Sequence, residues 1–133
     1  MKAHPFRLPP NTDLRAGIEA YVNQHDIQAG WILTCVGSLT EYHLRFANQS
    51  VCAKGKGHFE IVSLVGTVSV HGCHLHVCLA DSTGRTLAGH LLKGNLIYTT
   101  AEIVLGESPS HVFTREPDPR TGYSELVIRP SGS

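Results

Sequence analysis

The spacing of apolar and polar positions divides the chain into one helical stretch followed by a series of strand-like ones. Leu14, Ile18, Tyr21, Val22 and His25 recur at steps of four and three, which lays one apolar stripe along a helix. Pro9-Pro10 closes an extended segment before it. Asn11 or Thr12 stands where a cap is needed, Asp13 suits the positive end of the helix dipole, and Gly30 supplies a stop. The pattern predicts a helix over about residues 12–25.

Beyond it the period falls to two. Trp31–Val36 is a short apolar run closed by Gly37-Ser38, and Leu39–Ala47 alternates as far as the turn Asn48-Gln49-Ser50. Lys54-Gly55-Lys56-Gly57 reads as a flexible, solvated loop; it lacks the Gly-Lys-Ser/Thr ending of a phosphate-binding loop. Phe59–Val70 is long and β-prone, with Gly66 as a bend or bulge. Cys73–Leu79 ends in the turn signal Asp81-Ser82-Thr83-Gly84, Arg85–Leu92 returns, Gly94-Asn95 turns, and Leu96–Leu105 continues as strand. Glu116–Arg120 reads as a loop and Tyr123–Ile128 as an edge strand. One helix before about seven strands leaves no second helix for βαβ crossovers. The expectation is an α+β fold, one N-terminal helix packed on a mostly antiparallel, barrel-like curled sheet, with residues 1–133 as a single domain.

Composition agrees with a packed domain: 133 residues, 41% hydrophobic and 17% charged. Eleven basic residues balance eleven acidic ones, which argues against binding nucleic acid by bulk electrostatics. No apolar run is long enough to span a bilayer, and the N-terminus lacks the apolar stretch of a signal peptide, so a cytoplasmic or nuclear location is expected. Cys35, Cys52, Cys73 and Cys78 form no Cys-x-x-Cys pair and read as free thiols packed as small hydrophobes.

The nine histidines change the picture, because imidazole is the commonest metal ligand. His74-Leu75-His76 falls within the Cys73–Leu79 strand, so both histidines face one way, about 6.5–7 Å apart. Cys73, Leu75, Val77 and Leu79 face the other way as an ordinary core face. The Asp81–Gly84 turn is placed to bring His90 back beside them, and three histidines on adjacent strands with an open position suit zinc. Plain polar alternation on an exposed strand gives the same His-x-His spacing. Cys78 is a rival third ligand, and His71 could also approach; His4, His25, His43, His58 and His111 have no partner spacing.

The segments now reached resemble the PPC domain (plants and prokaryotes conserved), which also occurs behind AT-hooks in plant DNA-binding proteins. Val36-Gly37-Ser38-Leu39, Leu44-Arg45, Gly57-His58-Phe59-Glu60-Ile61 running on to Thr67, His74–Asp81, Gly89-His90-Leu91, Thr99–Glu102, and Arg115 with Thr121-Gly122-Tyr123 and Leu126 carry the likeness in order. Gly-x-Phe-Glu-Ile is its signature, with His58 where plant members usually have arginine. The resemblance implies an α+β fold, a homotrimer, and, as in some prokaryotic members, a metal site read as zinc at His74, His76 and His90. The family's DNA-binding label derives from the AT-hook. This chain has no Arg-Gly-Arg-Pro core and no basic tail, which counts against nucleic acid as a partner.

Three roles follow as expectations: a metal-binding homotrimer with a ligand-binding or regulatory role, a zinc enzyme acting on a small molecule, or a structural interaction module. In the enzyme, Glu60 or Glu102 is the candidate acid/base. Glu60 interrupts an apolar strand, and the favoured reading pairs it with Arg45 at the trimer interface.

Overall fold

The computed structural model describes residues 1–132. One helix and eight strands follow in the order β1 (Lys2–Leu8), α1 (Leu14–Gln24), β2 (Gly30–Arg45), β3 (Cys52–Ser69), β4 (Gly72–Ala80), β5 (Thr86–Leu91), β6 (Ile97–Glu107), β7 (His111–Asp118) and β8 (Tyr123–Pro130). All named strand pairings are antiparallel. The main sheet has the order β1-β6-β2-β3-β4-β5, and an added β2–β5 pairing bonds four of its strands into a ring without making a barrel. β7 and β8 form a separate hairpin. The α+β expectation therefore holds.

The helix lies where its apolar period places it, because Leu14, Ile18 and Val22 need burial and face the sheet. Its cap is Asp13 rather than Asn11 or Thr12. The Asp13 carboxylate accepts the Ala16 N–H at 2.8 Å and also the Asn95 N–H at 2.8 Å, so one side chain starts the helix and pins the β5–β6 connection to it. Asn95, fully buried, accepts the His43 N–H at 2.9 Å and donates to the His43 carbonyl at 3.0 Å. Leu75, Val77 and Leu79 of β4 and Ile97, Ala101, Ile103 and Leu105 of β6 join the helix in one core. Burying each such large side chain contributes about 1.5–3 kcal/mol.

Three local expectations are corrected, and one strand is added. Gly37-Ser38 does not end a strand; β2 runs through it, because a residue without Cβ lets the backbone of Thr100 and Ala101 come against it. Lys54–Gly57 is not a loop but the start of β3, paired with Glu41, Tyr42 and His43 of β2. Glu116-Pro117-Asp118 is the end of β7, where Arg129 pairs with Glu116 at 2.9 Å. β7 itself was not expected. It is tied to β3 and to the α1–β2 connection by three polar contacts: Phe113 N–H to the Gln28 carbonyl, Ser69 Oγ to the Phe113 carbonyl (both 2.8 Å), and Arg115 to Thr67 Oγ1 at 2.9 Å.

Two local devices hold β4 in place. Gly66 lies in β3 with φ +153°, and a Cβ there would fall on the His74 carbonyl oxygen. At the other end, the Asp81 carboxylate accepts from the Thr83 hydroxyl at 2.6 Å, the Thr83 N–H at 2.9 Å and the Arg85 N–H at 3.0 Å, closing the β4–β5 turn. The Thr83 hydroxyl foremost, with the Thr83 amide next, holds the Asp81 carboxyl below the usual aspartate range.

Gly66→Ala is expected to lower stability by about 2 kcal/mol or more, combining backbone strain with a clash against fixed backbone. Gly84→Ala, with φ +84° but nothing within 4 Å, should lose only the conformational part, about 1 kcal/mol. Urea unfolding compares the two, and equal losses would contradict the close approach of β3 and β4. Because Asp81 has its carboxyl depressed in the fold, its contribution is present above about pH 3.9 and is lost as pH falls through the lower folded value. The stability gap between the wild type and Asp81→Ala should therefore shrink as pH is lowered from about 6 to about 2.5. A gap that is constant across that range in urea-midpoint measurements refutes the turn's dependence on the ionised carboxylate.

Candidate metal centre

Alternation along β4 sends Leu75 and Val77 into the core, each 1% exposed, and turns His74 and His76 outward. The β4–β5 turn then sets His90 directly across from His76. The imidazole centroids lie 5.0 Å (His74–His76), 4.7 Å (His76–His90) and 5.9 Å (His74–His90) apart. One ring nitrogen from each lies within 4.8 Å of the other two. His74 and His76 are exposed and His90 is half-buried.

Among the described residues none of these three rings has a hydrogen-bond partner. Burial first, then repulsion from His76 and Arg115, lowers the His74 pKa; burial first, then His76 and Arg45, lowers that of His90. Both effects favour the neutral imidazole, the form that binds a metal. The donor set fits a divalent transition metal: three converging imidazole nitrogens, no competing internal bond, and an open side. A metal held there would supply Lewis acidity at the open side.

The other candidates fall elsewhere. Cys78 shares the outer face of β4 but is not part of the converging group, and His71 is exposed with its N–H given to Ser69 Oγ at 3.0 Å. Glu60 is exposed on β3, across from Ala80 and Ser38; Glu102 is exposed on β6, across from Arg7 and Val36. Neither joins the histidine group, and Glu60 forms no ion pair with Arg45 among the described residues. His4 is buried between Glu107 at 2.8 Å and Tyr21 at 3.1 Å. His25 stacks on Tyr21, His43 bonds the Lys93 carbonyl at 2.6 Å, His58 packs on Tyr98, and His111 bonds Ser108 at 2.7 Å. The four thiols are free; Cys35 is buried and its pKa is pushed up to about 12, whereas Cys52 is exposed rather than packed.

The neighbourhood of the triad was not foreseen. His74 and His90 line a cleft of about 630 Å³ together with Arg15, Arg45, Arg115 and Glu125. Arg45 and Arg115 stand within the family-like segments, but no spacing rule joins them to the histidines. Arg45 arrives through its cross-strand pairing with His90, and Arg115 through the unexpected β7.

Known proteins share much of this sequence and fold. The family model for the Plants and Prokaryotes Conserved (PCC) domain matches residues 1–109. A curated relative, the bifunctional protein GlmU of a Synechococcus strain, is 47% identical over 130 residues, 98% of this chain; the chain spans about a fifth of that protein, 21% of its length. A solved hypothetical protein from Salmonella cholerae-suis superposes with a TM-score of 0.96 at 38% identity, covering 98% of this chain and 94% of that one. A metal-containing protein from Archaeoglobus fulgidus gives 0.81 at 27%, covering 96% and 94%. A protein from Bacteroides thetaiotaomicron that carries a DNA-binding label gives 0.83 at 25%, covering 94% and 91%. Matching family residues, a shared fold over nearly the full chain and close identity lead to one conclusion: the chain belongs to the Plants and Prokaryotes Conserved domain family.

Proposed function

We propose that this domain is a metal-binding, ligand-binding module in which His74, His76 and His90 hold one divalent metal, zinc by donor chemistry, with its open side toward the cleft. The convergence of three imidazole nitrogens within 4.8 Å, none used by the fold, carries this reading. The metal-containing Archaeoglobus relative supports it. Three protein ligands and an open position also suit catalysis, so a metal enzyme acting on a small molecule is the second reading; the cleft against the triad favours it.

The assembly we propose is a homotrimer. Val36, Val62, Val65 and Tyr98 are each between 45% and 57% exposed on β2, β3 and β6, an apolar surface that a partner chain would cover. Since the chain spans a fifth of its GlmU relatives, a regulatory domain joined to an enzyme is one setting for it. A zero net charge supports no role for nucleic acid.

Protein purified without chelator should carry about one metal per chain by elemental analysis, and His74→Ala/His76→Ala should carry less than a tenth of that. Metal-free wild type, or a double variant that keeps its metal, would exclude this site. Light scattering is expected to give three times the chain mass of 14.4 kDa. A monomer would remove the trimer.

A further inference from the structure

The cleft beside the histidines is unusual in its charge. Arg15 is already occupied: it pairs with Glu19 at 2.8 Å and donates to the Leu91 carbonyl at 2.6 Å and the Cys73 carbonyl at 2.9 Å. It braces the walls and its charge is offset. Arg115 gives one amino group to Thr67 Oγ1 at 2.9 Å. Arg45 has no hydrogen-bond or ion-pair partner among the described residues, although it is half-buried and lies across from His90. A planar guanidinium taken partly out of water with nothing to bind is poorly satisfied by the fold alone.

Among the described residues that line the cleft Glu125 is the one acidic residue, and it accepts the Thr121 hydroxyl at 3.0 Å. Arg45 and Arg115 against Glu125 leave a surplus of one positive charge. At the N-terminus of α1 the Asp13 carboxylate already takes the Ala16 amide and sets its own negative charge there, so that helix end does not draw a dianionic phosphate. The fork of Arg45 instead matches a carboxylate, which it can hold by two parallel charge-assisted hydrogen bonds. Cross-strand partners have Cα atoms only about 4.5–5.5 Å apart, so a small molecule gripped at Arg45 also reaches the triad.

We propose that Arg45, assisted by Arg115, forms an anion subsite next to the histidine triad, and that the ligand is a small organic acid. Its carboxylate sits on Arg45 and a second oxygen faces the metal position. This names the ligand class for the metal reading above and rests on it for the second oxygen; the carboxylate grip rests on the arginines alone.

Glycolate is a suitable probe, with glycolamide as its neutral counterpart and inorganic phosphate as the competing anion. Calorimetry on the metal-loaded protein at about pH 7.5 should show saturable glycolate binding, about tenfold or more weaker for glycolamide and for Arg45→Gln, with metal content unchanged. Arg45→Lys should recover only part of the loss, because an ammonium cannot make the paired contact. Unchanged affinity in Arg45→Gln that still holds its metal would overturn the anion subsite and leave the metal reading intact. Phosphate binding tighter than glycolate would overturn the carboxylate assignment. If elemental analysis finds no metal, the metal reading fails by itself. Acetate added to the metal-free protein then decides the subsite: a saturable shift of the Arg45 side-chain N–H resonance supports it, and no shift refutes it.

Discussion

The pairing of the last residues of β2 with β5, Leu44 across from Leu91 and Arg45 across from His90, is the contact on which the site depends. β2 is already bonded to β6 and β3, and β3 leads through β4 to β5. When β5 returns to β2 the four strands close on themselves. Leu44 and Leu91, both fully buried, hold that closure by apolar burial, while the next pair carries the polar chemistry. Without the closure His90 would still meet His76, but Arg45 would have no reason to stand beside them.

The fold and the site treat polar groups differently. Every buried side-chain nitrogen or oxygen among the described residues has a partner, and Asp13, Asn95 and His4 show how densely those partners are arranged. Around the cleft the chain instead brings together groups it does not use to hold itself: His74, His90 and Arg45 line it, and His76 converges on the two histidines. Groups the fold does not need, gathered where they repel one another as cations, are the expected signature of a binding site whose missing partner comes from outside. Burial first, and then repulsion from His76 and a neighbouring arginine, also explains why His74 and His90 favour their neutral form.

Local patterning was legible where a single period governs a segment. The stripe Leu14, Ile18, Val22 predicted the helix, and alternation along Cys73–Leu79 predicted which face carries His74 and His76. It failed where tertiary pairing outweighs composition. Lys54–Gly57 looks like a loop, yet β2 supplies a template that makes it strand. The Glu116–Asp118 stretch, with its proline, is strand because β8 lies beside it. The helix cap was missed by one residue: Asp13 meets the ordinary capping rule by accepting the Ala16 N–H, and its further bond to Asn95 of the β5–β6 connection, invisible to local pattern, sets it apart from Asn11 and Thr12.

The sequence by itself determined the helix, the alternation of β4, the outward-facing histidine pair and the family, because these depend on neighbours along the chain and on motifs in order. The tertiary structure alone decided that Arg45, Arg115 and Glu125 share one cleft with His74 and His90 and that Glu60 and Glu102 do not. The physical reason is distance along the chain. A strand's period reports which face a residue occupies, but which strand lies beside it is set by ring closure and by the docking of β7, both non-local contacts that leave no local pattern.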